Sequence, residues 1–279
     1  MKNPLITIII PTYNSQNHIK ACLESIKDQD YKRVETIIVD QSSTDDTIKI
    51  AKGYGCKTII RPKPQFYSPP SISRNVGAKD AKGEILYHVD SDMMLEKGLL
   101  IEIAALLEED YDALIVHELD LTKGFWSKCK AFERRCYWGD DKIESARVVK
   151  RAIFHKVGGY DENVSSGEDF NIHKKYKRVG RIGFCKKAVR HNLGELSFWK
   201  TIKKKYNYGK TATIYSSENK ESGLLVLRDE ILCFVRSYKM FLSSPVYGLG
   251  ALILKFSEYS AGALGLLANN SKKLAPKLS

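Results

Sequence analysis

Several features that would decide the class of this chain at once are missing from it. Its 279 residues hold no internal repeat and no low-complexity tract, and the composition is that of an ordinary folded protein. The six cysteines, at 22, 56, 129, 136, 185 and 233, include no C-x-x-C pair and no zinc spacing. Cys129 and Cys136 fall two helical turns apart on one helix face, so they cannot bridge each other. All six read as reduced, mostly core residues, which places the polypeptide on the cytosolic side. The opening MKNPLITIII has no long apolar segment followed by a cleavage site, and its hydrophobic run reads as a strand. No apolar stretch reaches the roughly 20 residues that span a bilayer. Fifteen uncharged residues, MFLSSPVYGLGALIL, lie between Lys239 and Lys255 but are broken by Pro245; from Phe256 to Ser271 only Glu258 is charged. Two readings fit: a shallow or re-entrant helix pair on a membrane surface, or helices packed on the core or on a second subunit as a homodimer.

Acidic residues are also in short supply. Lys and Arg number 45 against 33 Asp and Glu, a formal charge of +12, and residues 140–215 hold 18 basic against 8 acidic side chains. Such a field suits an anionic partner: a nucleotide, a phospholipid head group or a polyprenyl phosphate. Nucleic acid would also fit the charge, but no recognisable reading module accompanies it, so no nucleic-acid partner is expected. The run FWKTIKKKYNYGK (198–210) interleaves lysines with aromatics and could dock on anionic head groups.

What is present is a regular alternation. LITIII (5–10), VETIIVD (34–40), CKTII (56–60), EILYHVD (84–90) and DALIV (112–116) read as strands. Helical stretches fall between them at 17–29, 44–54, 72–82 and 96–108, the second with Ser43 and Thr44 as candidate caps. The alternation implies an α/β fold with a mainly parallel, three-layer sheet over residues 1 to about 120. Beyond it, 125–138 reads as a helix and 144–150 as a short element; a helix over 166–180 starts near Ser166 or Gly167. Helices at about 197–215 and 223–242 precede the apolar tail.

In such sheets ligands bind beyond the carboxyl ends of the strands. Thr12, Tyr13 and Asn14 follow the first strand, Asp40 ends the second, and Asp90 and Asp92 end the fourth, all on one edge. If the backbone stays extended, Asp90 and Asp92 point to the same side and repel unless a cation sits between them; compact oxygen ligands suit Mg²⁺ or Mn²⁺. Asp40 is either a strand-terminal cap for backbone N–H groups or a partner for the imide N–H of a pyrimidine, over which Tyr13 could stack. Arg74 is either solvent-facing or a diphosphate contact, with Gly77 permitting close approach.

Six motifs in order now resemble one family, the nucleotide-sugar glycosyltransferases of family 2 with the GT-A fold. They are PTYN (11–14), DQSSTDDT (40–47), RNVGAKDAKGE (74–84), DSD (90–92), GGYDE (158–162) and GEDFNIHKK (167–175), spanning about residues 4–192. The resemblance implies a GT-A catalytic domain over 1–195, with nucleotide-sugar binding in 1–120 and the acceptor side in 121–195. A C-terminal helical region, 196–279, follows as a membrane-associated appendage. It implies inverting transfer of one sugar from a UDP- or GDP-type donor, with Mn or Mg on the diphosphate; the apolar tail and the lysine run add a polyprenyl-linked or membrane-anchored glycan acceptor at the cytosolic face of the membrane, with a soluble or surface glycan as the alternative. Donor contacts fall on Pro11, Thr12, Tyr13, Asn14, Asp40, Ser43, Arg74, Asn75, Asp90 and Ser91. Asp92, with Asp90 and His191, falls to the metal. Asp169 is the expected base, Glu168 orients the acceptor, Arg147 falls near the acceptor or a phosphate, and Trp138, Asp140 and Asp141 line the acceptor side. Two departures stand out: Gln41–Ser42 replaces the usual Asp-Gly, and the Q-x-x-R-W motif of processive synthases is absent. A catalytically silent nucleotide-sugar scaffold is the competing reading.

Overall fold

The computed structural model describes residues 3–62, 69–164, 167–211 and 227–274. Its sheet begins with β1 (Ile6–Thr12), where a run of β-branched side chains favours the pleated backbone. Ile6, Ile8, Ile9 and Ile10 are fully buried there, each contributing about 2 kcal/mol of transfer free energy. β2 (Val34–Asp40), β3 (Lys57–Ile60), β4 (Ile85–His88), β5 (Met93–Leu95), β6 (Ala113–Lys123), β7 (Val148–Lys150) and β8 (Ile182–Glu195) complete it, in spatial order β3-β2-β1-β4-β7-β6-β8-β5. The first four strands in that order are parallel; β7 then joins β4 antiparallel, so the sheet is mixed.

The helices are α1 (Ile19–Lys27), α2 (Thr47–Gly53), α3 (Pro70–Asp80), α4 (Leu99–Glu109), α5 (Phe125–Cys136), α6 (Arg151–Lys156), α7 (Glu168–Val179), α8 (Phe198–Thr211), α9 (227–236), α10 (Tyr238–Ser243) and α11 (Pro245–Leu274). Alternation along the strands divides the core into two layers. Ile8, Ile10, Tyr87 and Val89 face α1 and α4, while Ile9, Val39 and Leu86 face α3, α6 and α7. Gly77 is needed on this second side, since a Cβ there would strike Ile9 and come within 3.2 Å of Val39. The close approach that glycine permits is therefore that of α3 to the sheet, not of a ligand.

The chain divides into two compact units, residues 1–119 with 144–191 and residues 120–143 with 192–279. The second gathers α5 and the C-terminal helices around Cys129, Phe132, Cys136, Tyr137, Cys233 and Ala251. Cys129 and Cys136 share a buried face of α5, as their spacing predicts, and every cysteine is a free thiol. The two apolar stretches of the tail form one helix rather than a pair, and Pro245 opens it at the first position, where its missing N–H costs nothing. Pro245–Ala268 is long and apolar enough to cross a membrane by length and composition. α8 crosses α11 at glycines: a Cβ on Gly209 would strike the Gly262 carbonyl.

Candidate active site

The register of β1 with β2 sets Thr12 opposite Asp40, and the Thr12 Oγ1 donates to Asp40 Oδ2 at 2.7 Å. Ser43 donates its backbone N–H to Asp40 Oδ1 at 2.7 Å and its hydroxyl to Oδ2 at 2.6 Å. Asp40 is fully buried, so the geometry realises its capping reading. Asn14, at φ +49°, accepts the Thr44 N–H on Oδ1 at 2.9 Å and donates its own N–H to Ser43 Oγ. The missing glycine has a specific replacement. Ser42 adopts φ +59° and donates its hydroxyl to the Arg61 carbonyl at 2.7 Å. Beside this closed loop Pro11 is half-buried and Tyr13 is 51% exposed, its ring available for stacking. The expected caps of α2 are displaced: Asp45 accepts the Thr47 N–H, and the helix starts at Thr47.

Asp90 and Asp92 take different partners. The Met93 N–H donates to the Asp90 carbonyl at 3.1 Å, a turn that ends the extended backbone. Ser91, at the turn, bonds the Ser15 hydroxyl at 3.0 Å. Asp90 accepts Arg74 on Oδ1 at 2.9 Å and Arg147 on Oδ2 at 2.7 Å. Asp92 instead meets His191 Nε2 at 3.4 Å, because β5 pairs antiparallel with β8 and sets Met93 opposite His191. The other ring nitrogen, Nδ1, lies 3.2 Å from Glu118 Oε2.

The acidic pair opening α7 comes to the same place. Gly167 is the N-cap residue there; Ser166 lies outside the described residues. Arg74 Nη1 donates to Asp169 Oδ1 at 2.7 Å and to Glu168 Oε1 at 3.3 Å. Arg147 reaches Glu118 at 3.2 Å and Asp169 Oδ2 at 3.6 Å. Within these contacts four carboxylates, Asp90, Glu118, Glu168 and Asp169, face two guanidinium groups, while a fifth, Asp92, meets the His191 imidazole.

Arg74 is only 2% exposed, which excludes the solvent-facing reading of it. The helix starts at Pro70 rather than 72, and Arg74 sits on its inward face in phase with Ser71, Gly77 and Ala78. Asn75 is half-buried: its amide donates to the Tyr160 carbonyl and Glu162, and its Oδ1 accepts the Tyr160 N–H, each at 2.9 Å. Trp138 and Asp140 lie in the second unit, Trp138 under the Arg135 guanidinium at 5.2 Å and Asp140 bonded to Arg236 at 3.0 Å. Glu118 was not singled out by sequence. It lies at the carboxyl half of β6, on the edge the strand-end rule points to, but HELD there reads as an unremarkable polar stretch.

Charge and burial set the protonation states. Burial alone would raise the Asp90 carboxyl, but Arg147 and Arg74 hold it well below the usual carboxylate range. Burial, and then the neighbouring Asp169, push Glu168 upward. The two arginines are desolvated yet held charged by Asp169 and Asp90. The cluster thus offers a permanent anion at Asp90, a carboxylate at Asp169 pinned through one oxygen, and a histidine aimed by a second carboxylate.

Comparison with known proteins agrees with this frame. The glycosyl transferase family 2 profile matches residues 7–160. The poly(ribitol-phosphate) beta-N-acetylglucosaminyltransferase TarS of Staphylococcus aureus is 35% identical over 115 residues, which cover 39% of this chain and 20% of that protein. The chain therefore spans about a fifth of that relative's length. The GalNAc(5)-diNAcBac-PP-undecaprenol beta-1,3-glucosyltransferase of Campylobacter jejuni is 26% identical over 249 residues, covering 76% of this chain and 80% of its own. In structure, residues 1–349 of S. aureus TarS with UDP-GlcNAc superpose at a TM-score of 0.57 and 18% identity, covering 98% of this chain and 93% of that one. A Pyrobaculum calidifontis mannosyltransferase with GDP-Man and Mn²⁺ gives 0.56 and 17%, covering 98% and 88%. The matched profile covers more than half of the sequence, so the chain belongs to glycosyl transferase family 2, with the GT-A fold.

Proposed function

We propose that this glycosyltransferase moves one sugar, with inversion, from a UDP- or GDP-type donor to the hydroxyl of a polyprenyl-linked or otherwise membrane-anchored glycan. The observation that carries the reading is the convergence of Asp169, Glu168, Asp90 and the Asp92–His191 pair at the carboxyl edge of the sheet. The nucleobase lies over the exposed Tyr13 ring, beside the loop that Asp40, Ser43 and Asn14 close. The acceptor hydroxyl is placed at Asp169, whose Oδ1 is held by Arg74 while Oδ2, among the described residues, has the longer Arg147 contact. That oxygen takes the hydroxyl proton as the acceptor attacks the anomeric carbon from the face opposite the diphosphate. Glu168 orients the acceptor from the same helical turn.

A divalent ion, Mn or Mg, fits one part of the cluster and not another. Asp92 Oδ2 and His191 Nε2 form an oxygen–nitrogen pair, and Glu118 on Nδ1 fixes the ring in the manner of metal-bound histidines. Asp90 does not fit as a ligand, because both its oxygens and its charge are committed to guanidinium groups. When bound, the ion would offset negative charge on the departing diphosphate. The relatives that act on undecaprenol-linked and poly(ribitol-phosphate) glycans support the acceptor class. The six free thiols support a place on the cytosolic face.

The test is turnover of UDP-, GDP- and dTDP-sugars by the full chain with Mn²⁺ or Mg²⁺, run beside Asp169→Asn. The variant is expected to bind donor by calorimetry and to lose transfer. Normal turnover in Asp169→Asn overturns the base assignment; donor binding without turnover by the unaltered protein makes the chain a nucleotide-sugar scaffold instead.

A further inference from the structure

The second unit carries a network of buried charges beside its apolar core. Lys255 bridges Glu133 at 2.9 Å and Glu230 at 2.7 Å, and Lys130 bridges Glu133 at 2.9 Å and Glu258 at 3.2 Å. Tyr259 adds a 2.6 Å hydrogen bond to Glu230. The outside of the unit is greasy. Among the described residues, the exposed large hydrophobic side chains of the first unit are Tyr13, Ile60, Ile101 and Phe170, and all the others belong to the second. On α11, Val246, Leu249, Ile253, Phe256, Leu264 and Leu267 are exposed, Phe256 by 76%. At 3.6 residues per turn these six fall within about 80° of arc, and Lys255 and Glu258 lie on the other side. A water-facing helix has the reverse arrangement.

We infer that this stripe of α11 lies in the plane of an anionic phospholipid leaflet, sunk to the depth of its side chains, with α8 supplying head-group contacts. Two features favour lipid over a second copy of the chain. First, the helix is pinned along its opposite face: the only charges of its apolar stretch are locked to α5, α8 and α9, so it enters from one side rather than crossing. Second, the same unit exposes a basic face. Trp199, Lys203 and Lys210 share one face of α8, the helix that crosses α11 at Gly209, and all three are exposed. An indole with lysines is what a head-group boundary accepts, and repeating such a basic face across a two-fold interface would set like charges together. The inference rests on the proposed membrane-linked acceptor only for its purpose, since docking would bring the site to a substrate confined to the same surface.

The test is flotation of the full chain with phosphatidylglycerol–phosphatidylethanolamine vesicles and with pure phosphatidylcholine vesicles. Expected is binding to the anionic vesicles, about tenfold weaker in Leu249→Glu/Phe256→Glu and weakened in Lys203→Glu/Lys210→Glu or by added salt. Circular dichroism checks that the variants fold. Phe256→Trp offers a readout that removes nothing: its fluorescence should shift to the blue and be quenched by brominated lipid. Failure of the unaltered chain to float, or no quenching at position 256, overturns the inference. So does a sedimenting dimer that ignores vesicles and dissociates in Leu249→Glu/Phe256→Glu, which would assign the face to a second copy. Donor hydrolysis without acceptor, followed in the same samples, separates the two proposals: vesicle binding without any donor turnover would defeat the transfer reading and leave the docking intact.

Discussion

Arg74 Nη1 lies 2.7 Å from Asp169 Oδ1, joining residues 95 positions apart. The same guanidinium holds Asp90, so one buried cation ties the end of the fourth strand to the start of α7. Arg74→Ala leaves several desolvated carboxylates facing each other and is expected to cost about 3–5 kcal/mol. Arg74→Lys keeps a charge but cannot bridge three carboxylates in a fork, so it should fall between. Urea unfolding of the three proteins reads the order directly; equal stability of Arg74→Ala and the parent would show that the cluster is not what holds the site.

Glu168 gives a pH signature of the opposite sign from an ordinary paired acid. Its folded-state pKa is raised by burial and by Asp169, so its stabilising contribution is full at low pH and is lost as pH rises through that value. At pH 7 the ionised form opposes folding. Glu168→Gln should therefore melt higher than the parent at pH 7, with the gain vanishing toward about pH 4, where ordinary glutamates protonate. Melting curves across that range check it.

If Asp92 and His191 hold the ion, Glu118 acts on it only through the imidazole. Glu118→Gln is expected to raise the Mn²⁺ concentration for half-maximal turnover by roughly 10–100-fold while leaving the saturating rate closer to the parent. His191→Ala should shift it at least as far. A manganese titration in which neither variant moves would remove both residues from the metal site.

Ser42 carries strain that its hydroxyl offsets. A non-glycine residue at φ +59° costs about 1–2 kcal/mol, and the bond to the Arg61 carbonyl returns part of it. Ser42→Gly removes both and should leave stability within about 0.5 kcal/mol of the parent. Ser42→Ala keeps the strain and loses the bond, so it should be the less stable of the two by chemical denaturation.

The C-terminal helices bury charge and expose apolar side chains, and the expected mutational costs follow. Lys255→Met takes the lysine from buried Glu230 and leaves Glu133, whose carboxyl is held at about 2 by Lys130 and Lys255 against its burial, with Lys130 alone; it should cost about 3–5 kcal/mol. Leu249→Ser, on the exposed stripe, should change stability by less than about 0.5 kcal/mol. Thermal melts of the two rank them.

Much of the frame could be read in the chain before folding. The β-branched runs ending in Thr12, Asp40 and Asp90 announce parallel strands, and the strand-end rule sends their polar residues to one edge. Period and composition suffice for that, because both are local. The site was legible as a set of residues and less so as a set of partners. Asp90 and Asp92 look like a matched pair, yet one meets arginines and the other a histidine. Arg74 read as a solvent-facing cation or a diphosphate contact, and only the start of α3 at Pro70 shows that its phase points inward.

The sequence alone therefore determined the alternation of elements, the edge that carries the polar residues and the family, since these depend on spacing within short windows. Tertiary structure decided which carboxylate meets which cation, and which side of the apolar tail faces out. Both are settled by contacts between segments far apart in the chain: β5 on β8 brings His191 to Asp92, and α5 against α11 turns Lys255 inward and the leucines outward. No local pattern encodes those pairings, because each is chosen by the free energy of burying a charge with a partner rather than without one.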